Sequence, residues 1–355
     1  SNQGTDEFRE AAAGFYRERF GVELDAASEV IPVLGGKEAV GHIALACLDP
    51  GGVSLSPEPG YPPYTSGPVF AGAKVHYLPL TEANDFFPDL DAIPDDVLAR
   101  ANLLYLDYPN NPTGAIVPEG GFDRAVDFGR RHDLIVVHDN AYSEITFDGY
   151  VAPSFLETPG AKEVGVEIFS LSKGWNMTGW RCGLVAGNAQ VIERFRGLKA
   201  NLDSGLFEAI QRAAVVALTS ERDFPRSMSE VYARRRDLLV EALEGIGIPE
   251  FTIRISHRRL LESLGHAAGV SAEQATSLYR VIDKLDKIGR EGVARELAAG
   301  GVSADQATRV LDLVMKQGEG IIDIVNSYLG VTLHAGIVGL FFFAGMFVLT
   351  LLVLR

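Results

Sequence analysis

Three short apolar runs constrain this chain more than any other feature: Leu103-Leu104-Tyr105-Leu106, Leu134-Ile135-Val136-Val137 and Val166-Glu167-Ile168-Phe169. Runs of this length suit strands covered on both faces. Over residues 1–249 they alternate with amphipathic helical stretches, the pattern of a mostly parallel sheet with crossover helices, and so of an α/β fold. Each run ends in a polar cluster, at residues 107–113, 138–142 and 170–173. In open parallel sheets the ligand crevice lies beyond the carboxyl ends of the strands, so these clusters are expected to meet in space.

The last cluster opens the segment Ser170-Leu171-Ser172-Lys173-Gly174-Trp175-Asn176-Met177-Thr178-Gly179-Trp180-Arg181. The hydroxyl of Ser170 and the guanidinium of Arg181 can converge on one phosphate while the Lys173 amine reaches a carbon to be attacked. Gly35-Gly36-Lys37-Glu38 follows the apolar Val30-Ile31-Pro32-Val33-Leu34 and precedes a helical stretch from Ala39, so its N–H groups would face the same anion at a helix N-terminus. Asn111 lies in Asn110-Asn111-Pro112-Thr113-Gly114, Asp139 and Tyr142 in His138-Asp139-Asn140-Ala141-Tyr142, and Tyr61 in Pro59-Gly60-Tyr61-Pro62. Singly, each has a plainer reading. Ser-x-x-Lys is a common helix start, Asn-Pro-Thr-Gly a good turn, Asp139 a helix cap and Tyr61 loop packing. Their order, each cluster after its own strand, favours one shared site.

With these motifs in sequence, residues 1–249 resemble the class I/II aminotransferases of fold type I, nearest the branch of LL-diaminopimelate aminotransferase-like enzymes. The resemblance rests on Tyr-Pro-Asn-Asn-Pro-Thr-Gly at 108–114, His-Asp-Asn-Ala-Tyr at 138–142, and Ser-x-Ser-Lys leading to Gly-Trp-Arg. It implies a large domain holding pyridoxal 5'-phosphate, with amino-acid and 2-oxo-acid substrates, a homodimer and a cytoplasmic location. By that resemblance Lys173 forms a Schiff base with the cofactor and then shuttles a proton as general base and acid. Asp139 would stay ionised against the pyridine nitrogen, Asn111 and Tyr142 would donate to the phenolate oxygen, and Tyr61 would stack on the ring. Gly35, Gly36, Lys37, Ser170 and Arg181 would hold the phosphate. The resemblance also leads one to expect an N-terminal arm before Ser1 and a carboxylate-clamping arginine after Pro249. Neither is matched, so a chain that holds cofactor yet turns over slowly is expected.

Composition limits the alternatives. A chain of 355 residues with 47% hydrophobic and 22% charged side chains can bury a large core. Its net charge of -15 argues against nucleic acid as a partner, and Arg254, His257, Arg258 and Arg259 are too short a basic run to reverse that. Cys47 and Cys182 sit in apolar contexts without metal-ligand spacing, so they read as buried thiols of a reducing compartment, and no metal is expected. No charged n-region or apolar h-region follows Ser1, so no signal peptide is expected.

Two further segments differ in character. Residues 250–318 are similar to an internal stretch of histidyl-tRNA synthetases, through Phe251-Thr252-Ile253-Arg254-Ile255, Arg258-Arg259-Leu260-Leu261 and Ile282-Asp283-Lys284-Leu285-Asp286-Lys287-Ile288-Gly289. No catalytic residue carries over. Leu278, Val281, Ile282, Leu285 and Ile288 give one apolar helical face, and Ser271-x-x-Gln274 and Ser303-x-x-Gln306 are capping boxes. Residues 335–354 carry no charge, and at ~1.5 Å per residue such a stretch spans a ~30 Å hydrocarbon core. A hydrophobic C-terminal helix within 327–355 is therefore expected to cross or anchor in a membrane, against the alternative of a buried core helix. Three unlike segments also admit a second class of reading, a chimeric or tail-anchored, non-catalytic scaffold.

Overall fold

In the computed structural model, residues 2–245 are described, together with Arg295 and Ser303, which are both exposed. Apart from those two positions, the segment expected over 250–318 and the apolar helix expected within 327–355 lie outside the described residues. Among the described residues no helix is long and apolar enough to cross a membrane.

The elements run α1 (Asp6–Phe20), β1 (Val30–Val33), α2 (Gly36–Cys47), β2 (Val53–Glu58), α3 (Pro63–Phe70), β3 (Lys74–Pro79), α4 (Asp95–Leu98), β4 (Ala101–Asp107) and α5 (Gly121–His132). They continue with β5 (Ile135–Asn140), α6 (Ala161–Val164), β6 (Gly165–Ser170), α7 (Leu171–Gly174), β7 (Gly183–Gly187), α8 (Ala189–Leu202), α9 (Glu208–Thr219) and α10 (Phe224–Gly245). All fall within the unit Ser1–Ser256. The seven strands form one sheet in the order β1-β7-β6-β5-β4-β2-β3. Strands β2 to β6 pair in parallel, whereas β7 is antiparallel to both neighbours, β1 and β6. The mostly parallel sheet is as expected, with a reversed strand inserted near one edge.

Both faces of the sheet are covered, which accounts for the unbroken apolar runs. Along β4, Leu104 and Leu106 join one core with Phe8, Phe15, Tyr16, Phe122 and Phe169. Leu103 and Tyr105 point the other way, into a core with Ile31, Val40, Ile43, Tyr64 and Phe195. Local chemistry fixes the helices that cover these faces. Thr5 caps α1 by accepting from the Phe8 N–H at 3.2 Å, and Gly21 ends it in the left-handed region at φ 68. Asn188 caps α8 by accepting from the N–H groups of Gln190 and Val191.

One carboxylate holds the core together chemically. Glu167, read from sequence only as part of a strand, is fully buried. It accepts from the Tyr16 hydroxyl at 2.8 Å, Asn140 Nδ2 at 3.0 Å, the Ser154 hydroxyl at 2.9 Å and the Phe155 N–H at 2.8 Å, and it faces His138 Nδ1 at 2.8 Å. Burial alone would raise its pKa, but bonds from His138, Asn140 and Tyr16 outweigh this and hold it below the usual glutamate range. Replacing Glu167 with Leu strands these buried donors and should cost about 3–5 kcal/mol of unfolding free energy in urea at neutral pH. Because the native pKa is depressed, the wild-type contribution is complete above the ordinary glutamate pKa and fades as pH falls through the lower native value. An unchanged urea midpoint in Glu167→Leu at neutral pH contradicts this role.

Candidate active site at the carboxyl edge of the sheet

Strand register decides which side chains meet. β4 and β5 pair so that Leu106 stands beside His138 and Asp107 beside Asp139. Ser170, the last residue of β6, pairs with Gly183 of β7, and Gly183 pairs on its other side with Val33 at the end of β1. The turn after β1 is thus brought beside the turn after β6, although they are far apart in sequence.

That turn is shaped to receive an anion. Gly35 precedes α2 at φ 81, a conformation that favours glycine. A Cβ at Gly35 would lie 2.3 Å from Arg181 Nη2. At Gly36 a Cβ would stand 3.8 Å from the Cβ of Ser170. Arg181 itself sits at φ 55, with Nη1 donating to the Thr178 carbonyl at 3.0 Å and Nη2 to the Leu34 carbonyl at 3.2 Å. The N-terminal N–H groups of α2, the Ser170 hydroxyl and a guanidinium are therefore neighbours, a grouping of positive potential. Lys37 directs its ammonium to the face of Tyr61, 6.0 Å from the ring centroid.

Lys173 lies one turn past Ser170, in the short helix α7. Burial lowers its pKa first and the charge of Arg181 lowers it further, against an opposing pull from Asp139. Its Nζ stands 5.9 Å from the centroid of Tyr142. Less protonated than an ordinary lysine, it is a better nucleophile and proton acceptor. Burial also pushes the half-buried Tyr61 phenol up, with Asp139 adding to the rise and Arg181 opposing it, so Tyr61 senses both ends of the site.

Asp139 and Asp107 are both buried at neighbouring strand ends. Burial raises Asp139 to about 6, while the Tyr64 hydroxyl, donating to Oδ2 at 2.9 Å, together with His138 and Lys173, restrains the rise. Burial and the adjacent Asp139 charge push Asp107 well above the carboxylate range. Adjacent buried carboxyls do not both ionise readily, and the Tyr64 hydroxyl on Asp139 favours the charge there. Asn111 is tied to the same pair, its N–H donating to Asp107 Oδ2 at 3.1 Å.

The plainer readings hold in part. Ser170 does cap α7, accepting from the Ser172 N–H at 3.2 Å. Asn110 does close a turn, its side chain accepting from the Thr113 N–H at 3.1 Å and hydroxyl at 2.7 Å. Asp139 is no helix cap. Its partner Tyr64 went unread in the sequence, although it follows Tyr61 by three residues in Tyr61-Pro62-Pro63-Tyr64, and so did the role of Asp107. A separate open cleft of about 600 Å³, lined by Phe87, Asp91, Arg124, Asp127 and Arg131 among others, holds only aspartate and arginine as titratable groups.

Comparison with known proteins places the chain in a family. The chain is 50% identical over 247 residues to a protein of Moorella thermoacetica named LL-diaminopimelate aminotransferase. It spans 63% of that relative's length, and the match covers 70% of this chain. Among solved structures it is similar to substrate-bound BacF from Bacillus subtilis, at 36% identity and a TM-score of 0.67, covering 69% of this chain and 62% of that one. A probable N-succinyldiaminopimelate aminotransferase from Thermus thermophilus matches at 38% identity and a TM-score of 0.64, over 67% of this chain and 64% of the other. The sequence profile of the aminotransferase class I and II family matches residues 1–282. On that match the chain belongs to the aminotransferase class I and II family, whose members work with pyridoxal 5'-phosphate.

Proposed function

We propose that residues 1–249 form the cofactor-holding large domain of an aminotransferase that moves an amino group between an amino acid and a 2-oxo acid. The observation that carries this reading is the convergence on Lys173 of the Gly35-Gly36 turn, Ser170 and Arg181 on one side and the buried Asp139 and Asp107 strand ends on the other. The residues fit the cofactor's chemistry at both ends. Gly35, Gly36, Ser170 and Arg181 can take the phosphate, with the N–H of Lys37 beside them, and Asp139 can take the ring nitrogen. Bound there, the cofactor supplies an aldehyde for the amine and a ring that withdraws electrons from the substrate.

The chain's own groups divide the remaining work. Asp139, steadied by the Tyr64 phenol, would present its carboxylate to the ring nitrogen and favour a proton there. Tyr61 would cover the ring face, and Asn111 and Tyr142 would donate to its phenolic oxygen. Lys173 Nζ accepts the substrate α-proton and returns it as the amino group moves, a role its lowered pKa suits. The Moorella relative's name points to LL-diaminopimelate, and we take that amino acid as the first donor to test. A homodimer is part of the same proposal.

Titrating pyridoxal 5'-phosphate into the purified chain should produce a new visible absorbance band that is lost in Lys173→Ala. A wild-type chain without such a band overturns the reading in favour of a non-catalytic binding protein. The acid side offers a second check. Pairing with the ring nitrogen lowers the pKa of Asp139 from its free value of about 6, so Asp139-dependent affinity is present above that pH and weakens as pH falls through it. Tyr64→Phe removes a restraining donor and should shift this loss upward by about one pH unit, the size of one hydrogen bond. An identical pH profile in Tyr64→Phe counts against the Tyr64–Asp139 pairing.

A further inference from the structure

We propose that Lys199, acting through Glu38, is a positioning residue that holds the anion cradle in shape, an inference that rests on reading the cradle as the phosphate site. Lys199 lies on α8, away from the catalytic lysine, and is fully buried. Its ammonium donates to Glu38 Oε1 at 2.7 Å and to Asp203 Oδ2 at 2.9 Å. A buried lysine keeps its charge only with such partners, so the contact is a commitment of the fold rather than a surface ion pair.

Glu38 passes this restraint to the cradle. It stands in the first turn of α2, and its second oxygen, Oε2, accepts from the N–H of Leu34. The Leu34 carbonyl in turn accepts from Arg181 Nη2 at 3.2 Å. The peptide groups flanking Leu34 are therefore held by two charged side chains, one reaching back from α2 and one from Arg181. Immediately after them come Gly35, at φ 81, and Gly36, whose N–H groups would border the anion. Two successive glycines have wide conformational freedom, and Leu34 is where that freedom is removed.

Charge gives Lys199 a second role. A bare carboxylate in the first turn of α2 would repel an anion placed at the same helix end. Glu38 nevertheless stays ionised: burial would raise its pKa, but His42, Lys199 and the Leu34 N–H bring it to about 2. The Lys199 ammonium offsets that charge at short range. Glu38, His42 and Asp203 also present ligand atoms within 4.8 Å of one another, the spacing of a cation site. Lys199 Nζ already bonds both carboxylates and is the cation of that cluster.

A merely structural role would weaken every ligand alike, whereas a positioning role falls on the phosphate alone. Pyridoxal 5'-phosphate and pyridoxal, which lacks the phosphate, should each be titrated into wild type, Lys199→Met and Lys199→Arg, following the Lys173-dependent band as a measure of binding. In Lys199→Met the affinity for pyridoxal 5'-phosphate should fall about tenfold while that for pyridoxal changes less than twofold, and Lys199→Arg should recover most of the loss. Glu38→Met, which removes the acceptor that holds the Leu34 N–H, should show the same selective loss through positioning, and serves if Lys199→Met does not fold. Equal weakening of both ligands, or no change in either, overturns the inference. Absence of the band in wild type sinks the functional reading instead, so the two failures are distinct.

Discussion

The site depends on the in-register parallel pairing of β4 with β5. That pairing places Asp107 beside Asp139 at a sheet edge closed on both faces by apolar cores. Burial and mutual repulsion make it unfavourable for both carboxyls to be charged at once. Tyr64 biases the choice. Its ring stacks on Tyr105 at a centroid distance of 5.0 Å, and its hydroxyl donates to Asp139. The apolar packing of α3 against the sheet and the electrostatics of the site are thus parts of one contact.

The reversed strand β7 does for the anion end what the parallel pairing does for the carboxyl end. Inserted between β6 and β1, it aligns Ser170, Gly183 and Val33 across three strands. The glycine turn after β1 thereby reaches the hydroxyl and amine after β6. Gly183 suits this crossing point, since a Cβ there would lie 2.8 Å from the Phe169 carbonyl oxygen and 3.4 Å from the Gly36 nitrogen. Positive charge collects at this end from Arg181, Lys173 and the α2 terminus, and negative charge at the other from Asp139. A ligand bearing an anion at one end and a protonated nitrogen at the other would be oriented before any bond forms.

Much of this was legible because the apolar runs ended where the strands end. Leu103 to Leu106 and Val166 to Phe169 fall inside β4 and β6, and the polar residues after them converge as the sheet's geometry requires. The boundary of β5 was less clear, since the strand runs on through His138, Asp139 and Asn140, whose polar side chains are satisfied inside the fold. Glu167 interrupts an apolar run, yet it is a hub for donors from several elements and only their assembly reveals it. The reversal of β7 left no local signal, because Gly183-Leu184-Val185-Ala186-Gly187 is an apolar run between two glycines whichever way the strand points. Lys199 gave none either: a lysine in an amphipathic helix ordinarily faces water, and its burial follows from Glu38, 161 residues away.

The proposed site requires that one lysine among those in this chain meets the aldehyde. Incubating the protein with pyridoxal 5'-phosphate at a stoichiometric ratio, reducing with borohydride and mapping the tagged peptides by mass spectrometry tests it directly. A single dominant tag is expected on Lys173, with Lys37 and Lys199 unmodified. A tag spread evenly over exposed lysines, or concentrated on any residue other than Lys173, would contradict it.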